Sequence, residues 1–192
     1  MSALTAPETL PPHLARIADG LRQVTVEVDS GTGGGAGILW APDLVVTNAH
    51  VLGAAGLRLR LADDRHLDAR VVAADPRADL ALIRMPRAGV LTAAAGDSDA
   101  VRVGSVVVAL GHPRGLRRTL TAGVVHALAT TPGGRRWIQA DLRLAPGNSG
   151  GPLADPAGRI VGINTLVAGR LAFAIPINDV RRFVAAALAA LR

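Results

Sequence analysis

A single serine lies among three glycines in the stretch APGNSGGPL, with a proline on either side of the group. Acyl transfer needs a nucleophile beside backbone donors that face the oxygen on which negative charge develops. Gly147 allows backbone angles that a side chain forbids, so its N–H and that of Ser149 can face one concavity. The stretch predicts Ser149 as the nucleophile and Gly147, Asn148 and Ser149 as the oxyanion hole. The alternative is an ordinary turn between strands.

A serine hydroxyl becomes a good nucleophile only when a base removes its proton, usually a histidine held in one tautomer by a carboxylate. His50 lies near the end of the apolar run LVVTNAHV, where a strand would deliver its imidazole to a surface. Asp79 stands directly before the apolar run LALI, so its carboxylate can be partly buried and still reach the histidine. Asp75 is the weaker candidate, because a carboxylate in an Asp-Pro turn is normally solvated. The predicted triad is His50, Asp79 and Ser149.

These residues follow one another in the order of chymotrypsin-like enzymes, which differs from the order in α/β-hydrolases and subtilisins. Five ordered motifs, TNAHV, DLALI, VGSVVVALGHPRG, PGNSGGPL and FAIP, resemble the protease domain of HtrA/Deg-type, trypsin-like serine endopeptidases over residues 24–178. The resemblance implies that His50 is the general base, Asp79 its orienting carboxylate and Ser149 the nucleophile. The amides of Gly147 and Ser149 would then form the oxyanion hole. It also implies protein or peptide substrates, an acyl-enzyme and no cofactor.

The residues leave two other functions open. A protease fold can hold unfolded chains without cutting them, as a chaperone-like binding module or as a resting form that a partner activates. The presence of all three catalytic residues argues against this alternative. An esterase or another acyl-transfer enzyme could use the same scaffold, and the comparison of ester with peptide turnover separates it from a peptidase.

The specificity pocket of trypsin-like enzymes is lined by residues just before the nucleophile and by a later strand. The corresponding substrate-binding residues are predicted at Arg143, Leu144, Ala145, Leu166 and Val167. The aliphatic members of this set would accept a small or medium apolar side chain. Arg143 would favour an acidic side chain if it entered the pocket. The favoured orientation is outward, where it covers surface.

Short apolar runs separated by turns that contain Asp, Gly or Pro predict strands along most of the chain. The expected fold is all-β, with two six-stranded antiparallel β-barrels of the chymotrypsin/trypsin type, a short N-terminal helix and a C-terminal helix. The triad would assemble in the cleft between the barrels. The expected units are an N-terminal segment over 1–22, with a helix over 13–21, and a trypsin-like protease domain over 23–192. Within that domain the barrels are expected at about 23–95 and 100–178, with a link over 89–101. A helix over 179–191, capped by Asn178, is expected to follow the second barrel.

Other candidate sites are weaker. Residues 30–37, SGTGGGAG, could bind a phosphate, but neither a lysine nor a helix follows them, so a sharp bend between closely spaced strands is favoured. Asp97 and Asp99 are interpreted as solvated loop acids. Metal ligation is not predicted for the dispersed histidines, because they lack paired spacing. These are His13, His66, His112 and His126.

Composition limits the function classes. The 192 residues are 49% hydrophobic, enough for one sizeable domain or two fused halves. Cysteine is absent, so neither disulfides nor thiolate metal sites support the fold. All 21 basic residues are arginine, which excludes mechanisms that need lysine. The net charge of +6 is compatible with nucleic acid, but aromatic residues are only 2% and the arginines are scattered, so no such partner is predicted.

The sequence contains no run of about twenty apolar residues, so no membrane span is predicted. It also lacks the pattern of a signal peptide, which favours the cytoplasm; the bacterial periplasm or envelope is the alternative if a signal was removed. The family resemblance implies a following PDZ domain, and none is expected within these residues. Relatives trimerise through aromatic residues in the leading segment, but none precedes Trp40. A homo-oligomer stays open and a trimer is not predicted.

Overall fold

Two closed antiparallel barrels form the computed structural model of this chain, which describes residues 12–31, 33–53, 56–112, 119–169 and 171–191. The first barrel closes in the order β1-β2-β3-β6-β5-β4 and the second in the order β10-β11-β12-β9-β8-β7. The elements are α1 (Pro12–Val24), β1 (Thr25–Asp29), β2 (Gly34–Ala41), β3 (Leu44–Thr47), β4 (Leu57–Arg60), β5 (His66–Asp75), β6 (Leu80–Arg84), β7 (Val106–Gly111), β8 (Thr119–Thr130), β9 (Arg136–Asp141), β10 (Pro152–Ala154), β11 (Ile160–Ala168), β12 (Leu171–Pro176) and α2 (Ile177–Ala189). The predicted fold class is confirmed.

Three apolar clusters hold these elements together. One consists of residues from the first barrel and another of residues from the second. A third cluster combines side chains of both barrels with side chains of both helices, and it includes Leu21, Val46, Leu110, Ile163 and Val180. Each fully buried Leu or Ile contributes about 1.5–3 kcal/mol, so this shared cluster fixes one barrel against the other. A groove between the barrels therefore has a defined geometry.

The glycine-rich segment over residues 30–37 contains the predicted bend only in its first half, because β2 begins at Gly34. A Cβ on Gly35 would lie 2.6 Å from the carbonyl oxygen of Ser149. A Cβ on Gly37 would lie 2.6 Å from Cγ1 of Val45 in β3. The prediction that neighbouring strands pass close to these glycines is confirmed, and Gly35 and Gly37 make that contact from within strand β2. The predicted bend lies at the start of the segment: Asp29 of β1 pairs with Gly34 of antiparallel β2, and the Ser30 N–H donates to the Gly33 carbonyl oxygen at 3.1 Å.

The C-terminal helix is present, but its predicted cap is wrong. The N-cap of α2 is Pro176, and no side chain caps the helix. Asn178 instead donates from Nδ2 to Oδ1 of Asp97, at 2.7 Å. Asp179, in the first turn, accepts a 2.5 Å hydrogen bond from Nη2 of Arg136 in β9. These contacts attach α2 to the second barrel.

Neither helix in the described residues is long and apolar enough to cross a membrane.

Candidate active site

His50 lies in a single 3₁₀ turn, Ala49–Val51, that follows β3. Val51 is buried and anchors the turn, while the His50 side chain is 48% exposed. Nδ1 of His50 lies 2.9 Å from both carboxylate oxygens of Asp79. The backbone N–H of His50 donates to Oδ1 of the same carboxylate at 3.1 Å. This pairing places the ring proton on Nδ1 and leaves Nε2 as the basic nitrogen.

Asp79 has a φ of +56°, a left-handed conformation that is costly for a residue other than glycine. Three groups hold it there. Asn48 donates from Nδ2 to the Asp79 carbonyl oxygen at 2.9 Å, and Thr165 donates from Oγ1 to Oδ2 at 2.5 Å. Asp75 shapes the turn just before it, since its Oδ1 accepts the N–H of Ala78 at 3.0 Å. Of the two candidate carboxylates, Asp79 therefore faces His50 and Asp75 builds the turn.

The pKa of the Asp79 carboxyl group is lowered from its ordinary value. Burial by itself would raise that pKa, because a carboxylate loses hydration in the protein. The hydrogen bonds from His50 and Thr165 outweigh the effect of burial, because they favour the ionised form. Asp79 is therefore an anion at neutral pH and can stabilise a positive charge on the imidazole.

The turn before Ser149 has the geometry of type II, with Pro146 in the second position and Gly147, at φ +103°, in the third. It is closed by the Asn148 N–H, which donates to the carbonyl oxygen of Ala145 at 3.0 Å. Nδ2 of Asn148 donates to the same oxygen at 3.1 Å. Both kinds of Asn148 donor are thus used by the turn, and the prediction of Asn148 as an oxyanion-hole residue is not supported by this geometry.

The amides of Gly147 and Ser149 differ from that of Asn148. Within the described part of the chain, neither of these two N–H groups donates to a protein acceptor. The carbonyl of Gly147 accepts the His112 N–H at 3.1 Å, which fixes the orientation of the turn. Two amides that have no acceptor among the described residues therefore lie in the serine loop, one of them on Ser149 itself.

The first barrel fixes the loop that contains Ser149. Ala36 in β2 donates its N–H to the Ser149 carbonyl at 2.8 Å. Gly150 follows at φ +85°, and a Cβ there would lie 2.0 Å from the Ala36 carbonyl oxygen and 2.2 Å from Oγ1 of Thr47. That hydroxyl also donates to the Ala36 oxygen at 2.6 Å. The nucleophile loop of the second barrel is thereby held against the strand pair β2–β3.

The Ser149 hydroxyl donates to the carbonyl oxygen of Thr165 at 2.9 Å. Among the described residues it makes no hydrogen bond to His50. Thr165 therefore contacts two members of the predicted triad, Ser149 through its carbonyl and Asp79 through its side chain. Thr165 was not among the residues predicted from the sequence. A polar Asn-Thr pair inside the apolar strand VGINTLV was the available signal, because buried polar groups require partners.

A pocket of about 330 Å³ opens beside Ser149. Its lining includes four of the five predicted substrate-binding residues. The lining residues are Leu144, Ala145, Pro146, Asn148, Ser149, Thr165, Leu166 and Val167. Arg143 is exposed and does not belong to this lining, so the prediction that it binds substrate is not supported. Its exposure agrees with the outward alternative.

Metal ligation has no basis in the described residues, where no three His, Cys, Asp or Glu side chains come together. Asp99 pairs with Arg136 at 2.9 Å, and Asp97 caps a short 3₁₀ turn by accepting the N–H of Asp99. His13 has its Nε2 2.6 Å from the Pro156 carbonyl oxygen. These side chains have structural partners of their own.

A His–Asp pair on one antiparallel barrel, beside a serine loop of the other, defines the class of double-barrel serine hydrolases. The sequence model of the trypsin-like peptidase domain matches residues 35–163. The chain belongs to this family of trypsin-like peptidase domains.

Similar proteins include the periplasmic serine endoprotease DegP of Salmonella typhimurium, which is 42% identical over 161 residues. The alignment covers 78% of this chain and 34% of DegP. The putative serine protease HhoB of Synechocystis is 38% identical over 161 residues, which cover 78% of this chain and 38% of HhoB. The chain thus spans about a third of the length of such relatives.

A solved structure, the HtrA-type protease AlgW with a decapeptide, superposes with a TM-score of 0.84 at 25% identity. The match covers 91% of this chain and 67% of the AlgW chain. The predicted resemblance to HtrA/Deg proteases is confirmed.

Proposed function

We propose that this chain is a serine endopeptidase of the HtrA/Deg type, with His50, Asp79 and Ser149 as its catalytic residues. The observation that carries the proposal is the linked set of contacts in which Asp79 binds both His50 and Thr165, and Thr165 binds Ser149. Family membership supports the reaction type, and the contacts support the residue roles.

In the proposed reaction, the Ser149 side chain rotates from the Thr165 carbonyl toward Nε2 of His50. Oγ attacks the peptide carbonyl while His50 takes its proton. The Gly147 and Ser149 amides donate to the oxyanion of the tetrahedral intermediate. His50 then gives the proton to the leaving amine, and water hydrolyses the acyl-enzyme with His50 as base again. Asp79 remains an anion throughout and stabilises the imidazolium.

The proposed substrates are unfolded or flexible protein segments. A peptide must lie extended beside Ser149 to place one carbonyl at Oγ and one side chain in the pocket. The pocket walls formed by Leu144, Leu166 and Val167 are aliphatic and favour a small or medium apolar side chain before the cut bond. The solved structure of AlgW, an HtrA-type protease with a decapeptide, supports peptides as ligands of this class of protein.

The orientation of the Ser149 hydroxyl favours a second candidate, a resting form that holds chains without cutting them until a partner activates it. In this form Oγ would stay bound to the Thr165 carbonyl, at 2.9 Å in the structure, and His50 would have no proton to remove. The two candidates differ in the preferred rotamer of Ser149, whose hydroxyl points to the Thr165 carbonyl in the resting form and to His50 in the active form. A substrate that fills the pocket would favour the active form.

The experiment is degradation of β-casein by the wild type beside Ser149→Ala, prepared in parallel. We expect cleavage by the wild type and none by the variant. Equal cleavage by both proteins would reveal a contaminating protease. Casein binding without cleavage by the wild type would support the resting form, and turnover of an activated ester but of no peptide would support an esterase.

The relatives also bear on the cellular compartment, since DegP is named periplasmic. This favours the periplasm over the cytoplasm predicted from the sequence. Fractionation of cells that express the tagged full-length gene product tests it: we expect the protein with periplasmic markers, and a purely cytoplasmic fraction would contradict the assignment.

A further inference from the structure

The turn that carries Asp79 receives a contact from the second barrel that no step of the proposed reaction uses. Arg135, which directly precedes β9, donates from Nη2 to the carbonyl oxygen of Ala78 at 3.1 Å. Ala78 is the residue immediately before Asp79. A guanidinium from one barrel therefore binds the peptide group next to the catalytic carboxylate of the other.

The guanidinium of Arg135 is fixed in place by an aromatic ring. Its Cζ lies 4.2 Å above the ring centroid of Trp137. Trp137 is 9% exposed and meets the edge of Phe173, with 5.9 Å between the ring centroids. A cation over an indole face is attracted to it and keeps its donors directed sideways. The Trp137 ring therefore helps to hold the guanidinium in the position from which it binds the Ala78 oxygen.

The backbone of Arg135 is also constrained, by the turn that joins β8 to β9. Thr131 accepts the Arg135 N–H on Oγ1 at 3.1 Å and donates its own N–H to the Arg135 carbonyl at 2.8 Å. Gly134 adopts φ +81°, which this turn requires. These bonds fix the backbone from which the Arg135 side chain extends toward the Ala78 oxygen.

Ala78 is thus held on both sides. Its N–H donates to the Asp75 carboxylate at 3.0 Å, and its carbonyl accepts from Arg135. The next residue, Asp79, has the strained φ of +56°. A strained residue keeps its conformation only when surrounding contacts fix it, and the peptide that precedes it is one of the groups that must not rotate.

We propose that Arg135 is a positioning residue for catalysis, which acts with Trp137 beneath it to hold the turn of Asp79 in the conformation that faces His50. The inference rests on the proposed function. Thr165 binds the carboxylate itself, whereas Arg135 binds the backbone that aims it. The second barrel therefore contributes two separate contacts to this turn, one to the Asp79 carboxylate and one to the peptide group before it.

The test compares Arg135→Met, which keeps an apolar stem over Trp137 and removes the donors, with Arg87→Met. Arg87 is an exposed residue beyond the end of β6, so its variant controls for the loss of one positive charge. We expect Arg135→Met to lower kcat for a peptide about tenfold, the order expected for loss of a hydrogen bond from a charged donor, with KM within twofold. Arg87→Met should match the wild type.

A double-mutant cycle separates positioning from general stability. In an Asp79→Asn background, Arg135→Met should cause no further loss in the rate of Ser149 labelling by a fluorophosphonate. A further tenfold loss in that background, or full kcat in the single variant, would overturn the proposal. Circular dichroism and the unfolding midpoint establish whether each variant is folded. If Arg135→Met is not folded, Arg135→Gln is measured in the same way in its place.

A spectroscopic measurement keeps this inference distinct from the proposed function. The NMR resonance of the His50 Nδ1 proton reports the bond to Asp79 without any substrate. We expect Arg135→Met to shift or broaden that resonance and Arg87→Met to leave it unchanged. Absence of peptide turnover by the wild type would reject the proposed function alone, while an identical resonance in all three proteins would reject the role of Arg135.

Discussion

Replacement of Thr165 by valine tests a side chain that binds the carboxylate of Asp79, a proposed catalytic residue, and that was absent from the predicted site. Thr165 is 3% exposed, and its Oγ1 donates to Oδ2 of Asp79 at 2.5 Å. Valine has nearly the same shape, so the packing stays while the donor disappears. The Thr165 carbonyl that accepts from Ser149 belongs to the backbone and is retained. Thr165→Ser is the matched control, because it keeps the hydroxyl and removes only a methyl group.

The magnitude follows from the type of bond. A hydrogen bond to a charged group contributes about 1.5–3 kcal/mol, which corresponds to roughly 10- to 100-fold in a rate if the whole effect reaches the transition state. The imidazolium that forms during attack depends on the orientation and charge of Asp79. We expect kcat for a peptide to fall by this factor in Thr165→Val and by less than threefold in Thr165→Ser.

The same substitution changes the pH dependence of stability. In the wild type the pKa of Asp79 is lowered, so this group stabilises the fold above the ordinary carboxyl pKa and loses that effect as pH falls through the lowered value. Loss of the Thr165 donor raises the folded-state pKa toward the unfolded one. The difference in unfolding free energy between Thr165→Ser and Thr165→Val should therefore be full at neutral pH and shrink below about pH 4.

Steady-state kinetics with one fluorogenic peptide, and urea unfolding between pH 3 and 8, supply both measurements. The reasoning is refuted if the two variants share the same kcat, since the hydroxyl would then contribute nothing to catalysis. A stability difference that does not vary with pH would also contradict it, because the hydroxyl would then act without affecting the charge on Asp79.

Two further predictions concern the groove. Gly150→Ala should lower the unfolding free energy measured in urea by more than about 3 kcal/mol, because its Cβ would overlap the Ala36 carbonyl oxygen. Gly158 has a similar positive φ of +76° but open space around it, so Gly158→Ala should cost only about 1 kcal/mol. Equal losses in the two variants would show that backbone strain alone matters. Arg143→Ser should leave the cleavage preference in a peptide library unchanged, because Arg143 lies outside the pocket lining, whereas a lost preference for acidic side chains would place it in the pocket.

The candidate triad could be predicted from the sequence because each residue lies in a short local pattern. Ser149 stands among glycines, His50 ends an apolar run and Asp79 begins one. Chain order then distinguished this arrangement from other hydrolases. The two barrels could likewise be predicted from the alternating strands and from the motifs that resemble a known family.

Most of the contacts that the prediction missed are long-range, although the bonds from Asn148 to Ala145 are local. Thr165 lies 86 residues along the chain from Asp79. Asn178 lies 81 residues from Asp97, and its side chain binds Asp97 instead of capping the helix. No local pattern indicates that Gly34 and Gly35 continue a strand rather than bend it. The need for glycine at position 35 depends on the Ser149 loop, more than a hundred residues later, whose carbonyl oxygen occupies the space where a side chain would be.

The rate at which a fluorophosphonate labels Ser149 is the most direct test that three distant side chains act as one unit. The measurement compares the wild type with His50→Ala and Asp79→Asn, and peptide mapping identifies the labelled residue. The account predicts rapid labelling of Ser149 in the wild type and rates lower by at least about a hundredfold in both variants. Equal labelling rates in all three proteins, or a label on another residue, would contradict it.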